Sequence, residues 1–211
     1  MLRKTRIAVF VSGGGTNLQA LIDAEANGIL ESGEIVLVIS NKAGAYALTR
    51  AENAGIRTAT VLKKDYPDRD GFEDRILSLL KENGIELLIL AGFLSILSAR
   101  FISQYPKRIL NVHPSLIPSF CGAGFYGLKV HEAALSYGVK VTGATVHYVN
   151  EVPDGGEILL QKAVEVREGD TPEILQKRVM EEAEWILLPR AAELVSERLR
   201  RELAEKKGIQ G

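Results

Sequence analysis

The chain has 211 residues, of which 46% are hydrophobic and 25% are charged, a balance that is typical of a globular domain and excludes a disordered or fibrous chain. The 26 lysines and arginines nearly balance the 27 aspartates and glutamates, for a formal net charge of −1, which excludes binding of nucleic acid or an anionic membrane through a broad basic surface. The single cysteine, Cys121, excludes an internal disulfide and a multi-cysteine zinc site, and the short apolar run at 7–13 is too brief for a signal peptide or a membrane span, so we expect a cytoplasmic protein.

Buried strands and helical patterns alternate through the first 112 residues. Helical spacing begins at Leu18 and recurs over 45–54 and 70–83, and each of these two stretches is followed by a glycine that suits a helix C-terminus. The alternation predicts a parallel sheet with right-handed crossovers. Its strands are continuous apolar runs, as expected for strands covered on both faces, and they are predicted at 7–11, 35–39, 58–62, 87–90 and 109–112.

The second half of the chain has a different pattern. Prolines and glycines at 113–127 predict a loop, and a helix is predicted at 129–137. Strands are predicted at 139–149 and 158–166, on either side of a polar turn at 150–156. This arrangement predicts an antiparallel edge next to the parallel strands.

A final helical region begins at Thr171, with Pro172 at its first position. We expect it to continue to about residue 207 with a break at Pro189, and to place one apolar stripe against the sheet through Leu194, Val195, Leu199 and Leu203.

The predicted fold is therefore α/β, a Rossmann-like and mostly parallel sheet with helices on both faces and an antiparallel edge in the C-terminal half. We expect one domain over 1–211. Its parts are a parallel half at about 5–112, a segment of loop, antiparallel strands and helix at about 113–190, and a C-terminal helix at 190–211.

A glycine run joins the first strand to the first helix, and Thr16 and Asn17 follow it. Free N–H groups and the helix dipole at such a junction attract an anion. The dinucleotide fingerprint is incomplete, because Leu18 stands at the position of its third glycine and the second strand ends in Ser40 and Asn41 without an acidic residue. The pattern favours a single phosphate held by Gly15, Thr16 and Asn17, and the alternative is a tight turn whose glycines serve packing alone.

Asn111 and His113 lie two positions apart on the fifth strand, so their side chains share one face. An amide donor and an imidazole at the carboxyl end of a parallel strand suit stabilisation of an oxyanion and proton transfer. Asp154, in the turn between the last two strands, could orient or charge His113. In the alternative interpretation, His113 and Asn111 are structural and Asp154 only satisfies backbone N–H groups in its turn.

The other two histidines and the absence of two catalytic motifs reduce the number of reaction classes to consider. His131 in a predicted helix and His147 in a predicted strand are interpreted as structural residues. The chain has no Gly-x-Ser-x-Gly elbow, which argues against a serine hydrolase, and no His-Glu-x-x-His motif, which argues against a metalloenzyme.

Five segments together resemble the phosphoribosylglycinamide formyltransferase family, over about residues 5–190. The segment Asn-x-His-Pro-Ser followed by Asp-x-Gly resembles formyl-transferring enzymes in general, and the glycine loop resembles the part that binds a ribonucleotide phosphate. The segments are Ser-Gly-Gly-Gly-Thr-Asn-Leu-Gln-Ala-Leu at 12–21, Ala-Gly-Phe at 91–93, Asn-Val-His-Pro-Ser-Leu-Ile-Pro at 111–118, Gly-Ala-Thr-Val-His at 143–147 and Asp-Gly-Gly at 154–156.

The resemblance implies transfer of a formyl group from 10-formyltetrahydrofolate, as cosubstrate, to the amine of glycinamide ribonucleotide in purine synthesis, by direct attack and without a metal. It implies a catalytic trio of Asn111, His113 and Asp154, and a phosphate site in the half at about 5–112, at Gly15, Thr16 and Asn17. Glu184 would contact the ribonucleotide. The residues implied around the folate are Arg69, Phe93, Leu94, Ser95, Ile96 and Leu97.

Three departures from the family pattern stand out. Ser95 occupies a position where the family often has an arginine, which puts one folate contact in doubt, and Pro153 replaces an aliphatic residue beside Asp154. The loop at 120–127 differs from shorter family versions, and we interpret Cys121 within it as incidental to catalysis.

Three other functions compete with this one. A methionyl-tRNA formyltransferase would need a further nucleic-acid-binding domain, and a formyltetrahydrofolate hydrolase would usually carry an extra N-terminal regulatory domain. A phosphate-binding module without catalysis would need the glycine loop but not the trio. We expect no nucleic-acid or membrane partner, and a monomer or a homodimer.

Overall fold

A seven-stranded sheet lies at the centre of the computed structural model, which describes residues 3–208; positions 1–2 and 209–211, at the two ends of the predicted domain, lie outside the described residues. The strands are β1 (Thr5–Val11), β2 (Gly33–Ser40), β3 (Arg57–Thr60), β4 (Leu87–Leu90), β5 (Ile109–His113), β6 (Val141–Tyr148) and β7 (Ile158–Glu165). They are ordered β3-β2-β1-β4-β5-β6-β7. The first five are parallel, and β6 and β7 add in antiparallel orientation, which confirms the predicted α/β fold.

Helices cover both faces of the sheet. Ile7, Val9 and Val11 of β1 face a core beneath α1, α2, α5, α6 and α7, whereas Ala8 and Phe10 face a second core beneath α3 and α4. Successive side chains of a strand point to opposite faces, so a strand buried on both sides must be apolar throughout. The helices are α1 (Thr16–Ala26), α2 (Tyr46–Asn53), α3 (Arg69–Glu82), α4 (Ala99–Ile102), α5 (Leu128–Tyr137), α6 (Pro172–Val179) and α7 (Trp185–Gly208).

The strand order reverses between β1 and β4. The chain moves outward from β1 through β2 and β3, and then returns to the other side of β1 to form β4 and β5. Such a reversal leaves a crevice beyond the carboxyl ends of the strands, which is where ligands of open α/β sheets bind. The glycine loop follows β1, the segment at 91–98 follows β4, and Asn111 and His113 end β5, so all three reach this crevice.

The predicted break at Pro189 is wrong. Helix α7 continues through Pro189, and the irregular part is a π-helical turn at Met180–Glu184 between α6 and α7. Proline removes one backbone N–H and crowds the carbonyl of Trp185. It lies just after the wider π-helical turn, and the residues around it, such as Leu188 and Ala192, are fully buried and keep the helix against the sheet.

The predicted apolar stripe of the last helix is wrong at Leu194, and Leu203, also predicted in it, is only half-buried. Leu194 is 43% exposed, and the buried stripe of α7 consists of Leu187, Leu188, Ala191, Ala192, Val195 and Leu199. Each residue turns the helix by about 100°, which places Leu194 just beyond the edge of this buried stripe. The short helix α4 was not predicted, and β3 ends at Thr60, two residues before the predicted end.

No helix within residues 3–208 is long and apolar enough to cross a membrane. The same residues contain no group of three or more His, Cys, Asp or Glu side chains placed to hold a metal ion.

Candidate active site

Asn111, His113 and Asp154 meet beyond the carboxyl end of β5. Asn111 and His113 belong to β5, and Asp154 reaches them from the turn between β6 and β7. The His113 Nδ1 atom lies 3.4 Å from Asp154 Oδ2, and the Asn111 Nδ2 atom lies 3.4 Å from Asp154 Oδ1. His113 is 4% exposed, so the cluster is largely shielded from water. The structure thus brings together the three residues that the sequence analysis placed in one site.

Close backbone packing shapes the turn that carries Asp154. A Cβ atom at Gly156 would lie 1.7 Å from the Tyr148 carbonyl oxygen, so only glycine fits where this turn crosses the end of β6. Asp154 itself has φ of 56°, the left-handed region that aspartate tolerates better than most residues. The Gly155 N–H donates to the Val152 carbonyl and closes the turn. This geometry directs the Asp154 carboxylate back towards β5.

His147 is a fourth member of the cluster, which the sequence analysis interpreted as structural. It pairs with Asn111 across the antiparallel strands β5 and β6. Its Nδ1 atom lies 2.9 Å from the Tyr148 carbonyl, an acceptor, so Nδ1 carries a proton. Its Nε2 atom, 3.2 Å from Asn111 Nδ2, accepts from that amide in the neutral ring and donates to Asp154 in the protonated ring. His147 Nε2 is also 3.6 Å from Asp154 Oδ1. The sequence places His147 in a predicted strand, which is a signal that it could reach the site. Whether it does so depends on the register of β6 against β5, which only the structure gives.

Asp154 is surrounded by groups that favour its ionised form. Burial alone raises the pKa of this carboxyl, but the His147 contact, the Gly122 N–H donor and the charge of His113 outweigh it, so the pKa is lowered from 3.8. The carboxylate is therefore ionised at neutral pH. Because both His113 nitrogens face acceptors, Asp154 and the Phe120 carbonyl at 2.9 Å, a doubly protonated ring could donate to both.

The loop at 120–127 closes over this cluster. Its Gly122 N–H donates to Asp154 Oδ2 at 2.9 Å, and its Phe120 carbonyl contacts His113. Cys121 Sγ lies 3.2 Å from the Pro118 carbonyl, and burial together with the charge of Asp154 raises the pKa of the thiol. Cys121 is therefore a neutral thiol at neutral pH, in a state unsuited to nucleophilic attack. The loop contributes backbone groups, which no residue pattern in the sequence indicated.

A cavity of about 570 Å³ lies against the cluster. Gly92, Phe93, Leu94, Ser95 and Ile96 form one wall, the loop at 122–127 forms another, and Asn111, His113 and Asp154 lie between them. Leu94 and Ile96 are 57% and 69% exposed, so this wall presents apolar side chains to the cavity. Such a cavity suits a flat, mainly apolar ring with polar edges.

Two of the predicted folate residues lie outside this cavity. Leu97 is buried and lines a smaller cavity of about 120 Å³ that also reaches Asn111 and Asp154. Arg69 lies on the far side of the segment, in a cavity of about 310 Å³ with Lys63. Its Nη2 atom donates to the Ile96 carbonyl at 2.7 Å, and its Nε atom donates to Glu73. Arg69 thus supports the wall of the main cavity from behind.

The glycine loop presents a helix N-terminus to the crevice. Gly15 precedes α1 with φ of 75°, and a Cβ atom there would lie 2.5 Å from the Ala47 Cβ, so both conformation and space require glycine. No side chain caps α1, which leaves the first N–H groups, including those of Thr16 and Asn17, available to an anion.

Asn17 and Glu184, predicted on the same side of the site, are hydrogen-bonded. Asn17 Nδ2 donates to Glu184 Oε2 at 2.6 Å, and Glu184 is 6% exposed. Burial raises the pKa of Glu184, and the Asn17 bond only partly opposes this effect. The side-chain amide of Asn17 is therefore bonded to Glu184, and the backbone N–H of Asn17 remains available to bind an anion.

Arg50 is a residue that the sequence analysis missed. Its Nε atom donates to the Gly14 carbonyl at 2.8 Å and its Nη1 atom to Gln19 Oε1 at 3.0 Å. It places positive charge beside the glycine loop. Nothing in the sequence indicated this, because Arg50 belongs to α2, a helix brought to the loop only by the fold.

Comparison with known proteins places these residues in a family. Residues 5–191 match the family described as formyl transferase. A phosphoribosylglycinamide formyltransferase of Haemophilus influenzae is 40% identical over 177 residues, which is 84% of this chain and 81% of that protein. The trifunctional purine biosynthetic protein adenosine-3 of Gallus gallus is 47% identical over 193 residues; the match covers 92% of this chain but only 18% of the length of that protein.

A solved structure has the same fold. Glycinamide ribonucleotide transformylase 1 from Symbiobacterium toebii superposes with a TM-score of 0.86 at 41% identity. The match covers 92% of this chain and 88% of that one.

Proposed function

The chain belongs to the formyl transferase family, and we propose that it transfers the formyl group of 10-formyltetrahydrofolate to the amine of glycinamide ribonucleotide, as a single formyltransferase domain. The products are formylglycinamide ribonucleotide and tetrahydrofolate, in the synthesis of purines. The named relatives of similar length, a phosphoribosylglycinamide formyltransferase and a glycinamide ribonucleotide transformylase, support this assignment.

One observation carries the proposal: a single cavity is lined both by the apolar segment 92–96 and by Asn111, His113 and Asp154. The pteridine ring of the donor binds along the apolar segment. The glycine loop lies at the end of β1, beside β4 on the sheet, and binds the phosphate of the ribonucleotide through the N–H groups of Gly15, Thr16 and Asn17. The two substrates then meet at the trio.

The trio acts on charge that develops during transfer. The substrate amine attacks the formyl carbon, and negative charge forms on the formyl oxygen in a tetrahedral intermediate. The Asn111–Asp154 contact of 3.4 Å is at the long limit for a hydrogen bond, so that amide hydrogen is available to the stronger oxyanion acceptor. His113 in its protonated form supplies the second donor by exchanging the Phe120 carbonyl, 2.9 Å from Nε2 in the structure, for the stronger oxyanion acceptor.

Asp154 assists the transfer of a proton from the attacking nitrogen to the folate nitrogen. The attacking nitrogen must lose a proton as the new C–N bond forms, and the folate nitrogen must gain one as its bond to the formyl carbon breaks. An ionised Asp154 next to His113 stabilises the imidazolium and helps to pass this proton. No covalent enzyme intermediate is required, in keeping with the raised pKa of Cys121.

A formyl-transfer assay separates the candidate functions. We would incubate the protein with 10-formyltetrahydrofolate, with and without glycinamide ribonucleotide, and follow formation of tetrahydrofolate and of the formylated ribonucleotide. The proposal requires that tetrahydrofolate form only when the ribonucleotide is present, in equal amount to the formylated product. Equal rates without the ribonucleotide would indicate a hydrolase, and ribonucleotide binding without turnover would indicate a phosphate-binding module.

A further inference from the structure

Three polar side chains link the glycine loop to the segment that lines the cavity. Ser12 Oγ donates to Asn41 Oδ1 at 2.6 Å, and Asn41 Nδ2 donates to Ser95 Oγ at 2.8 Å. The Leu94 N–H donates back to Ser12 Oγ at 2.9 Å. We call this chain of hydrogen bonds the Ser12–Asn41–Ser95 bridge. It spans the carboxyl ends of β1, β2 and β4, and so it depends on the central order of the sheet.

The segment at 91–98 needs such support. It connects β4 to α4 without regular secondary structure, and its Leu94 and Ile96 side chains are 57% and 69% exposed. An isolated segment with exposed apolar side chains would fold back to bury them. Hydrogen bonds from neighbouring elements to its backbone and to its polar side chains must therefore hold it open.

The C-terminal half of this segment has its own anchors. Arg69 donates to the Ile96 carbonyl, and the buried Glu73 carboxylate accepts from the backbone N–H and the hydroxyl of Ser98. The N-terminal half is held by the Ser12–Asn41–Ser95 bridge and by the edge-on packing of Phe93 against Phe10, with ring centroids 5.2 Å apart. The bridge is thus the polar anchor of the half that lies nearest the trio.

We propose that Asn41 and Ser95 are positioning residues for the formyl donor: they hold the backbone of residues 94–95 in the geometry that receives the pteridine ring. This inference rests on the proposed function. It also gives a role to Ser95, which stands where the family often has an arginine: its hydroxyl closes the bridge. Because the bridge holds the segment in place before the donor binds, binding does not lose free energy to ordering the segment. Loss of the bridge should therefore weaken donor binding much more than it slows the chemical step.

The test compares two variants that break the bridge with two that keep it. Ser95→Ala removes the last acceptor, and Asn41→Leu removes the middle residue. Ser95→Thr keeps the hydroxyl, and Ser78→Ala removes a serine of α3 whose hydroxyl donates locally to the Asp74 carbonyl. Binding of tetrahydrofolate is measured by calorimetry, KM and kcat are measured for both substrates, and the melting temperature is measured for each variant.

Because one hydrogen bond contributes about 0.5–1.5 kcal/mol, Ser95→Ala should raise the Kd of tetrahydrofolate and the KM of the donor by about 2- to 12-fold. We expect kcat and the KM of the ribonucleotide to change by less than about twofold. Ser95→Thr, which keeps the hydroxyl, should retain more donor affinity than Ser95→Ala, and Ser78→Ala should resemble the starting protein. A variant that combines Ser95→Ala with Asn41→Leu should bind the donor no worse than Asn41→Leu alone, because both changes break the same chain of bonds.

Three results would overturn the inference. One is a Ser95→Ala variant with normal donor binding, which would make the bridge irrelevant even if Asn41→Leu failed to fold. Another is an equal rise in KM for both substrates, which would place the effect on the glycine loop. The third is loss of donor affinity in Ser95→Thr as large as in Ser95→Ala. Failure of the proposed function is distinct, since the unaltered protein would then neither bind tetrahydrofolate nor transfer the formyl group.

Discussion

Replacing His131 by leucine should make the protein more resistant to acid. His131 lies on α5 and is 0% exposed, and neither of its ring nitrogens has a hydrogen-bond partner among the described residues. Burial lowers the pKa of His131 from 6.5 to about 4, and the charge of His113 adds to this effect. The native state therefore holds this ring neutral over a pH range in which the unfolded chain protonates it.

The direction and size of the effect follow from proton linkage. Above about pH 7.5, one unit over the unfolded pKa of 6.5, the ring is almost fully neutral in both states and does not affect the pH dependence of stability. As the pH falls towards 4, only the unfolded state gains a proton, so the free energy of unfolding decreases. A shift from 6.5 to about 4 amounts to about 3 kcal/mol in full, of which about 2 kcal/mol is lost by pH 5.

Urea denaturation at pH 7.5 and pH 5 measures this loss. We expect His131→Leu to be at least as stable as the unaltered protein at pH 7.5, because it removes a buried polar ring without partners. The stability difference between the two proteins should widen by about 2 kcal/mol at pH 5. As a control, Val130→Ala on the same helix should lower stability by the same amount at both pH values. Equal pH dependence of stability in the His131→Leu variant and the unaltered protein would refute the reasoning.

Three further predictions concern the site. Substituting His113→Ala or Asp154→Asn should lower kcat on the order of a hundredfold or more, with the circular dichroism spectrum unchanged; near-normal turnover in a folded variant would contradict the trio. Gly15→Val should raise the KM for glycinamide ribonucleotide far more than the KM for the donor, since the new side chain would collide with Ala47 beside the predicted phosphate site; equal effects on both substrates would count against that site. Cys121→Ser should retain turnover, with intersecting initial-rate plots that indicate a ternary complex; parallel plots and an isolable formylated enzyme would show that transfer passes through a covalent intermediate.

Local patterns in the sequence identified most elements of the fold. The run at 87–90 is a strand with those bounds, and Thr171 caps α6 with its side chain as expected for a helix that begins with proline. These signals are local because burial on both faces demands continuous apolar residues and because cap positions bond to their own helix. The errors at Pro189 and Leu194 arise where the outcome depends on packing against the sheet, which the spacing of residues does not contain.

The candidate site was likewise predictable from sequence only where its residues lie close together in the chain. Asn111 and His113 could be placed together from sequence because residues two apart on a strand share a face. The contacts of Asn111 with His147, of Asn17 with Glu184 and of Asn41 with Ser95 join residues 36, 167 and 54 positions apart. The sequence by itself determined which segments are strands, which carry polar residues at their ends and where an anion can meet a helix N-terminus. Only the tertiary structure decided which of these ends face one another, because strand order and register are set by the burial of the whole sheet and not by any segment within it.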